Sequence, residues 1–331
     1  MRGLTRALLA LGAGCLMLAV LIGAIGLCLG GQFGSFQPTP DGLRYMPAGQ
    51  DANDWVLTGG EERQEQTVPL PDGTFTGLEL DGGLAEVTVR PGESWNLTTT
   101  HPELYEVSRE DGRLVIDSRE PGISGHTVRN ARLTLEVPAG LELETLELSI
   151  GLGSLNVRDL ATGSLDVDAG MSGVTLTGIT VRDDAELECG MGELTVENLT
   201  AKTVTGECGL GTMTLTDVTA DSVDLACDMG TLTAKNLTVA GDTALHCDSG
   251  ETQVTGTLAG SLTADCGMGS LTVTTPEPEN YGLDGSCGMG TLTVGERLIS
   301  GTGNSLTIDS SAPIQYRLSV DMGELTVRFT E

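Results

Sequence analysis

Six cysteines, Cys189, Cys208, Cys227, Cys247, Cys266 and Cys287, recur at intervals of 19 to 21 residues. Thiols so placed have three chemistries open to them. They can pair as disulfides, bind a soft metal such as copper(I) with help from Met171, Met191, Met229, Met268, Met289 and Met322, or fill a narrow core as small apolar groups. If the repeats stack as neighbouring strands, the thiols form a column with a spacing of about 4.8 Å. That is longer than the ~3.5–4.5 Å between Cβ atoms that a disulfide prefers. A column also brings only two thiols to any one point, too few for tetrahedral zinc. Core packing is the expected role, with the methionines near the same inner corner, and no metal or other cofactor is expected.

The other reactive residues are scattered. His101, His126 and His246 are isolated, and His246, between inward Leu245 and Cys247, should face solvent. Asp183-Asp184 and Asp166/Asp168 resemble carboxylate pairs used in acid–base cleavage of glycosides. With 47 Asp and Glu in the chain, such pairs arise by chance, and a solvated acidic face accounts for them. No catalytic, cofactor-binding or metal residue is assigned, so the chain is read as a non-enzyme with no small-molecule substrate. A calcium-binding β-roll needs Asp after each Gly-x-Gly, where this chain has Leu, Thr or Ser. Aromatic residues suited to carbohydrate contact are missing from 151 to 280, which leaves Trp55, Trp95 and Tyr105 as candidates. The sequons at Asn96, Asn198 and Asn236 follow from a Thr-rich composition. A formal net charge of −30 keeps the surface self-repelling, excludes nucleic acid and argues against anionic lipid as a direct partner.

The cysteines are positioned by a repeated turn. Gly151-Leu152-Gly153-Ser154-Leu155-Asn156-Val157 is followed by related copies starting at 170, 190, 209, 228, 248, 267 and 288, with a last copy at 321. Within a copy, Val223, Leu225 and Cys227 alternate with Asp224 and Ala226, as one face of a strand does. The turn follows, then an inward pair such as Leu194 and Val196, with Thr195 outward. A further apolar residue (Leu160, Ile179, Leu199, Val218, Leu237) marks another side of the coil. The first turn Gly becomes Asp at Asp228, Asp248 and Asp321, so a left-handed backbone is expected there. The second stays Gly except at Ser172, which predicts a tight bend or close contact with the next coil. These turns open strands and not helices, so they are read as structural and not as phosphate cradles.

The predicted fold is all-β: a single-stranded parallel β-solenoid of about 19–20 residues per coil, preceded by one N-terminal transmembrane helix. Residues 1–6 read as a cytoplasmic N-terminus. Residues 7–31, uncharged and preceded by Arg2 and Arg6, would rise about 37 Å as a helix, enough to cross a bilayer. A cleaved signal peptide is the competing reading, disfavoured by the length of the apolar run. Residues 32–66 read as a polar tether, 67–150 as a β-rich N-terminal cap, 151–295 as regular coils, and 296–331 as a C-terminal cap with the last coil.

Leu133-Thr134-Leu135-Glu136-Val137-Pro138-Ala139-Gly140, followed by successive Gly-x-Gly-x-Leu-Thr-Val copies, resembles the bacterial putative-adhesin family of envelope-associated β-solenoids. The resemblance covers about 67–331 and carries no catalytic residues; the basic start and the acidic remainder place everything after residue 31 outside the cytoplasm, at the cell membrane. It implies a non-catalytic adhesin-like or scaffold module contacting cell-wall polymer or an envelope protein. The alternative is an accessory of an envelope-stress system that binds membrane proteins near its own anchor at 7–31. A polysaccharide-active enzyme is the third reading.

Overall fold

The computed structural model describes residues 34–39, 42–47, 63–119 and 131–330. The expected membrane helix at 7–31, the start at 1–6, Trp55 and His126 lie outside the described residues. Among those described, no helix is long and apolar enough to cross a membrane. Within the stretch read as a tether, Gly34–Thr39 and Gly42–Pro47 pair antiparallel as a separate two-stranded sheet.

From Gln66 onward the described chain is all-β apart from one 3-10 turn at Pro102–Leu104. Twenty-seven strands share one hydrogen-bonded sheet, wound as a solenoid with mostly parallel pairing. Alternation drives each leg. In Ser222–Cys227, Val223, Leu225 and Cys227 are buried while Asp224 is exposed. In Thr231–Val239, Leu232 and Ala234 point in, two polar residues follow, and Leu237 and Val239 point in again. The break in alternation is a corner, where Asn236 adopts φ 55°. Stacking such legs in register places the inward Leu, Val, Ala and Cys of all coils in one continuous core, whose burial is the main stabilising term.

The left-handed column lies at this corner and not in the Gly-x-Gly turn. Asp159, Asn198, Asp217 and Asn236 have φ between 55° and 57°, and Gly178 has φ 68°. Asp228, Asp248 and Asp321, where positive φ was expected, do not share it. Asn and Asp tolerate the left-handed region, and it is this corner that requires it. One coil omits the extra residue: Leu237 pairs with Gly256 across a register shift, and the backbone of Leu237 fills the space a Cβ on Gly256 would need.

At both ends the order of coils in space differs from their order in sequence. Leu78 and Leu80 stack between Leu146/Leu148 on one side and Leu114/Ile116 on the other. The stretch read as a cap thus contains stacked parallel legs continuous with the coils. The chain lays down 77–92, moves outward to 113–138, then returns underneath as 142–158. The far end does the converse: Leu262–Cys266 pairs with Ile314–Val320, which in turn pairs with Tyr281–Cys287. The copy at 321 is last in sequence but second to last in space. Antiparallel strands cover each end: Asn96–Thr99 and Gln66–Val68 at the first, Arg297–Ser300 and Asn304–Ile308 at the second. Short antiparallel strands at the ends blunt edge-to-edge growth of the parallel stack.

Candidate functional site

The cysteine column forms as spacing predicts. Cys189, Cys208, Cys227, Cys247 and Cys266 pair in register on successive parallel strands. All are free thiols, and each is at most 2% exposed. Cys287 is likewise buried but stands apart, because Val320 occupies the place between it and Cys266. The thiols donate to turn carbonyls, as Cys247 Sγ does to Gly250 O at 3.3 Å. Neighbouring thiols shift one another in opposite directions: Cys189 is lowered and Cys208 raised, and Cys247 is lowered and Cys266 raised, because each pair gives up its two protons in turn.

Cysteine and glycine are complementary across coils. A Cβ on Gly250 would stand 2.5 Å from the carbonyl oxygen of Gly230 and 2.8 Å from Cys227 Sγ. The second turn position is therefore the floor on which the preceding coil's thiol rests. Ser172, the one exception, lies where the column holds Ala169 and Ile150 instead of Cys. Its hydroxyl is buried and donates to Ile150 O at 3.2 Å.

The methionines do not share that inner corner. Met171, Met191, Met229, Met268, Met289 and Met322 are between 52% and 67% exposed, and Leu210 joins them at 54%. The middle residue of each turn points out, as the residue before the turn (Cys189, Cys227, or Ala169 and Val320 in its place) points in. The sequence carried this signal: alternation extended from Cys189 through Gly190 puts Met191 in phase with the core, but the turn interrupts the strand there and reverses the phase.

Two outward faces flank the turns. On the leg leading in, Asp166 pairs with Glu186, and Asp168, Glu188 and Glu207 form a ladder. Partial desolvation raises Asp166 and Glu188 above the usual carboxylate range, and their carboxylate neighbours add to it. The acidic pairs thus sit in one like-charged strip. Asp183 lies elsewhere, 3.2 Å from Arg182 Nε. His246 is on the same leg, half-exposed, 3.3 Å from Asp265 and 3.9 Å from Asp224. On the leg leading out, Thr175, Thr195, Thr214 and Thr233 stand in register, followed by Gln253, Thr272, Thr326 and Thr293. Past the corner Thr180, Thr200, Thr219 and Thr238 form a second, fully outward column.

Within 63–330 the aromatic residues sit at the two ends of the core. Trp95 meets Phe75 edge-on at 5.3 Å, and Tyr105 is only 5% exposed, so neither is an open contact residue. Tyr316 is buried, stacks 5.1 Å from Tyr281, and burial pushes its phenol up to about 12. His101 is lowered by desolvation and by Arg63, its Nδ1 lying 2.8 Å from Thr100 Oγ1. A depression of about 390 Å³ lined by Thr257, Pro276, Glu277 and Pro313 adjoins the inserted coil.

A family model described as Toastrack DUF4097 matches residues 75–328. No curated protein matches the chain. Among solved structures, the chain is similar to a putative adhesin from Bacteroides fragilis, with 13% identity and a TM-score of 0.44, over 80% of this chain and 96% of that one. A putative lipid binding protein from Parabacteroides distasonis has 11% identity and a TM-score of 0.45, over 81% and 96%. A putative cell adhesion protein from Clostridium sporogenes has 11% identity and a TM-score of 0.21, over 81% and 99%.

Proposed function

The chain belongs to the Toastrack DUF4097 family, and on that premise we propose that it is a non-catalytic, adhesin-like contact module of the bacterial cell envelope. In this reading residues 7–31 anchor it in the membrane and the solenoid stands outside the cytoplasm. The observation that carries the proposal is the threonine ladder. Thr175, Thr195, Thr214 and Thr233 present one hydroxyl per coil on a rigid strand face. A surface that repeats at one spacing suits a partner that also repeats, such as a wall polymer, because many weak contacts then add. A protein partner is the second reading, favoured by the exposed apolar side chains of the turns.

The test is sedimentation of the full-length chain with purified cell-wall material over a range of salt. Hydroxyl contacts are insensitive to screening, so saturable retention that survives salt supports wall contact, and Thr195→Glu with Thr214→Glu should abolish it. Absence of retention overturns wall contact, and crosslinking in the membrane then decides for a protein partner.

A further inference from the structure

The middle residues of the turns form a straight apolar ridge. Met171, Met191, Leu210 and Met229 occupy successive coils and are 54%, 58%, 54% and 64% exposed. The turns are locked in register by backbone bonds, Met191 N to Gly170 O at 2.8 Å and Met229 N to Gly209 O at 3.0 Å. One large apolar side chain therefore emerges per strand spacing of about 4.8 Å. The core does not need them, since buried Ala169, Cys189, Cys208 and Cys227 already fill the inner side of these turns. Large apolar side chains exposed in a row over successive coils are the kind of surface that marks an interaction site, and methionine adapts its shape to varied partners.

The borders of the ridge are acidic. Asp168, Glu188 and Glu207 line the leg before the turns, in register, and Asp228 and Asp248 stand within them. Between 159 and 296 the only lysines and arginines are Arg182, Lys202 and Lys235, none within four residues of a turn. A second copy of this chain would bring like-charged borders together, and their repulsion opposes that pairing. The pitch selects among the remaining occupants. The apolar stripe of a helix repeats every ~5.4 Å, so it drifts from the ridge by about 1.8 Å over the three steps from Met171 to Met229, within reach of a flexible side chain. One face of a strand repeats every ~6.8 Å and drifts by about 6 Å over the same length.

We infer that the ridge docks a cationic amphipathic helix, its apolar stripe on Met171, Met191, Leu210 and Met229 and its Lys or Arg residues against the flanking carboxylates. This rests on the reading of the chain as a contact module. It does not depend on the threonine face or on the anchor.

The test is fluorescence anisotropy of a labelled synthetic Leu/Lys amphipathic helix against the full-length chain, beside a peptide of the same composition in scrambled order. The ordered helix should bind roughly tenfold more tightly than the scrambled one, a difference of about 1.4 kcal/mol. The triple variant Met171→Gln, Met191→Gln, Met229→Gln should erase that preference at an unchanged Tm. Glu188→Gln with Glu207→Gln should weaken binding and reduce its salt dependence. Equal binding of the two peptides, or indifference to the methionine variants, overturns the inference and leaves only a polyanionic surface. Self-association of the chain that the triple variant abolishes, with no preference for the ordered helix, overturns it in favour of a second copy. Failure of the contact-module reading would show separately, as loss of wall retention and of membrane crosslinks together.

Discussion

Cys266 stacks on Val320, and Cys287 stacks on the opposite side of that same valine, so the sixth thiol is one coil removed from the other five. The inserted coil, Ile314–Val320 and Glu324–Thr330, supplies parallel partners to 262–276 and to 281–294 at once. Without it Leu271 and Val273 would lose contact with Leu325 and Val327. A chain lacking 311–331 should therefore lose amide protection across 281–294 while 184–239 stays protected, because each coil of a solenoid depends on its neighbours. Hydrogen exchange reads this directly. Persistent protection of 281–294 would mean that it re-pairs with 262–276 in sequence order.

The contact between Cys227 and Gly250 gives a sharper test of packing. A methyl group on Gly250 would meet Gly230 O at 2.5 Å and Cys227 Sγ at 2.8 Å. Neither the backbone nor a buried thiol can retreat cheaply, so Gly250→Ala should destabilise by about 1–3 kcal/mol, as overpacking does. Gly173, whose Cβ would meet nothing within 4 Å, is the control: Gly173→Ala should be neutral or slightly stabilising. Urea denaturation of the two variants measures the difference. Combining Gly250→Ala with Cys227→Ala should recover part of the loss.

The sequence announced the coil and misplaced its details for identifiable reasons. Cys, Gly-x-Gly and the alternating Leu, Val and Thr are local signals, and the column Cys189 to Cys266 follows from their period. The left-handed corner was legible only in part. Asp at Asp228 and Asp248 suggested positive φ, but the same residue type also caps exposed turns. The true corner at Asn198, Asp217 and Asn236 was marked by two consecutive polar residues before Leu199, Val218 and Leu237. Coil order at the ends is a tertiary choice. Val320 carries the same inward signal as a cysteine, and nothing local says whether it stacks on Cys266 or beyond Cys287. The ridge was missed because Met191 is apolar, and apolar was read as inward.

The acidic strip should make the folded chain more stable as pH falls. Asp166 and Glu188 are raised by desolvation and by Glu186, Glu147 and Glu207. A carboxyl raised by folding binds more protons folded than unfolded between its unfolded and folded pKa. Stability therefore falls as pH rises through that window, which begins near the usual carboxylate range of about 4. Thermal melts carried down into that carboxylate window should show a rising Tm as Asp166 and Glu188 take up protons, opposite to the usual acid loss. High salt should raise the neutral-pH Tm and flatten the profile, and Glu188→Gln should do both in part. Glu103, lowered in the fold with Arg63 beside it, works the other way and should show as a small opposing slope once the strip is neutralised. A Tm that falls steadily from neutral pH would mean that the strip's repulsion is already relieved.

Methionine chemistry separates outward from inward turns residue by residue. Met191, Met229, Met268 and Met289 are more than half exposed, whereas Met213, on the leg between Leu194 and Leu232, has no exposed surface. Mild peroxide should convert the turn methionines to sulfoxides rapidly, with Met213 untouched until the chain unfolds. Oxidation adds a polar oxygen at a site the core does not use, so Tm should shift little. Oxidised Met213 would instead place that oxygen among buried Leu and Val and destabilise the coil by a few kcal/mol. Peptide mapping at successive times gives each rate. Equal rates for Met191 and Met213 would show that the coil opens on the timescale of the reaction. Slow oxidation at Met191 would show that its side chain folds back against the turn.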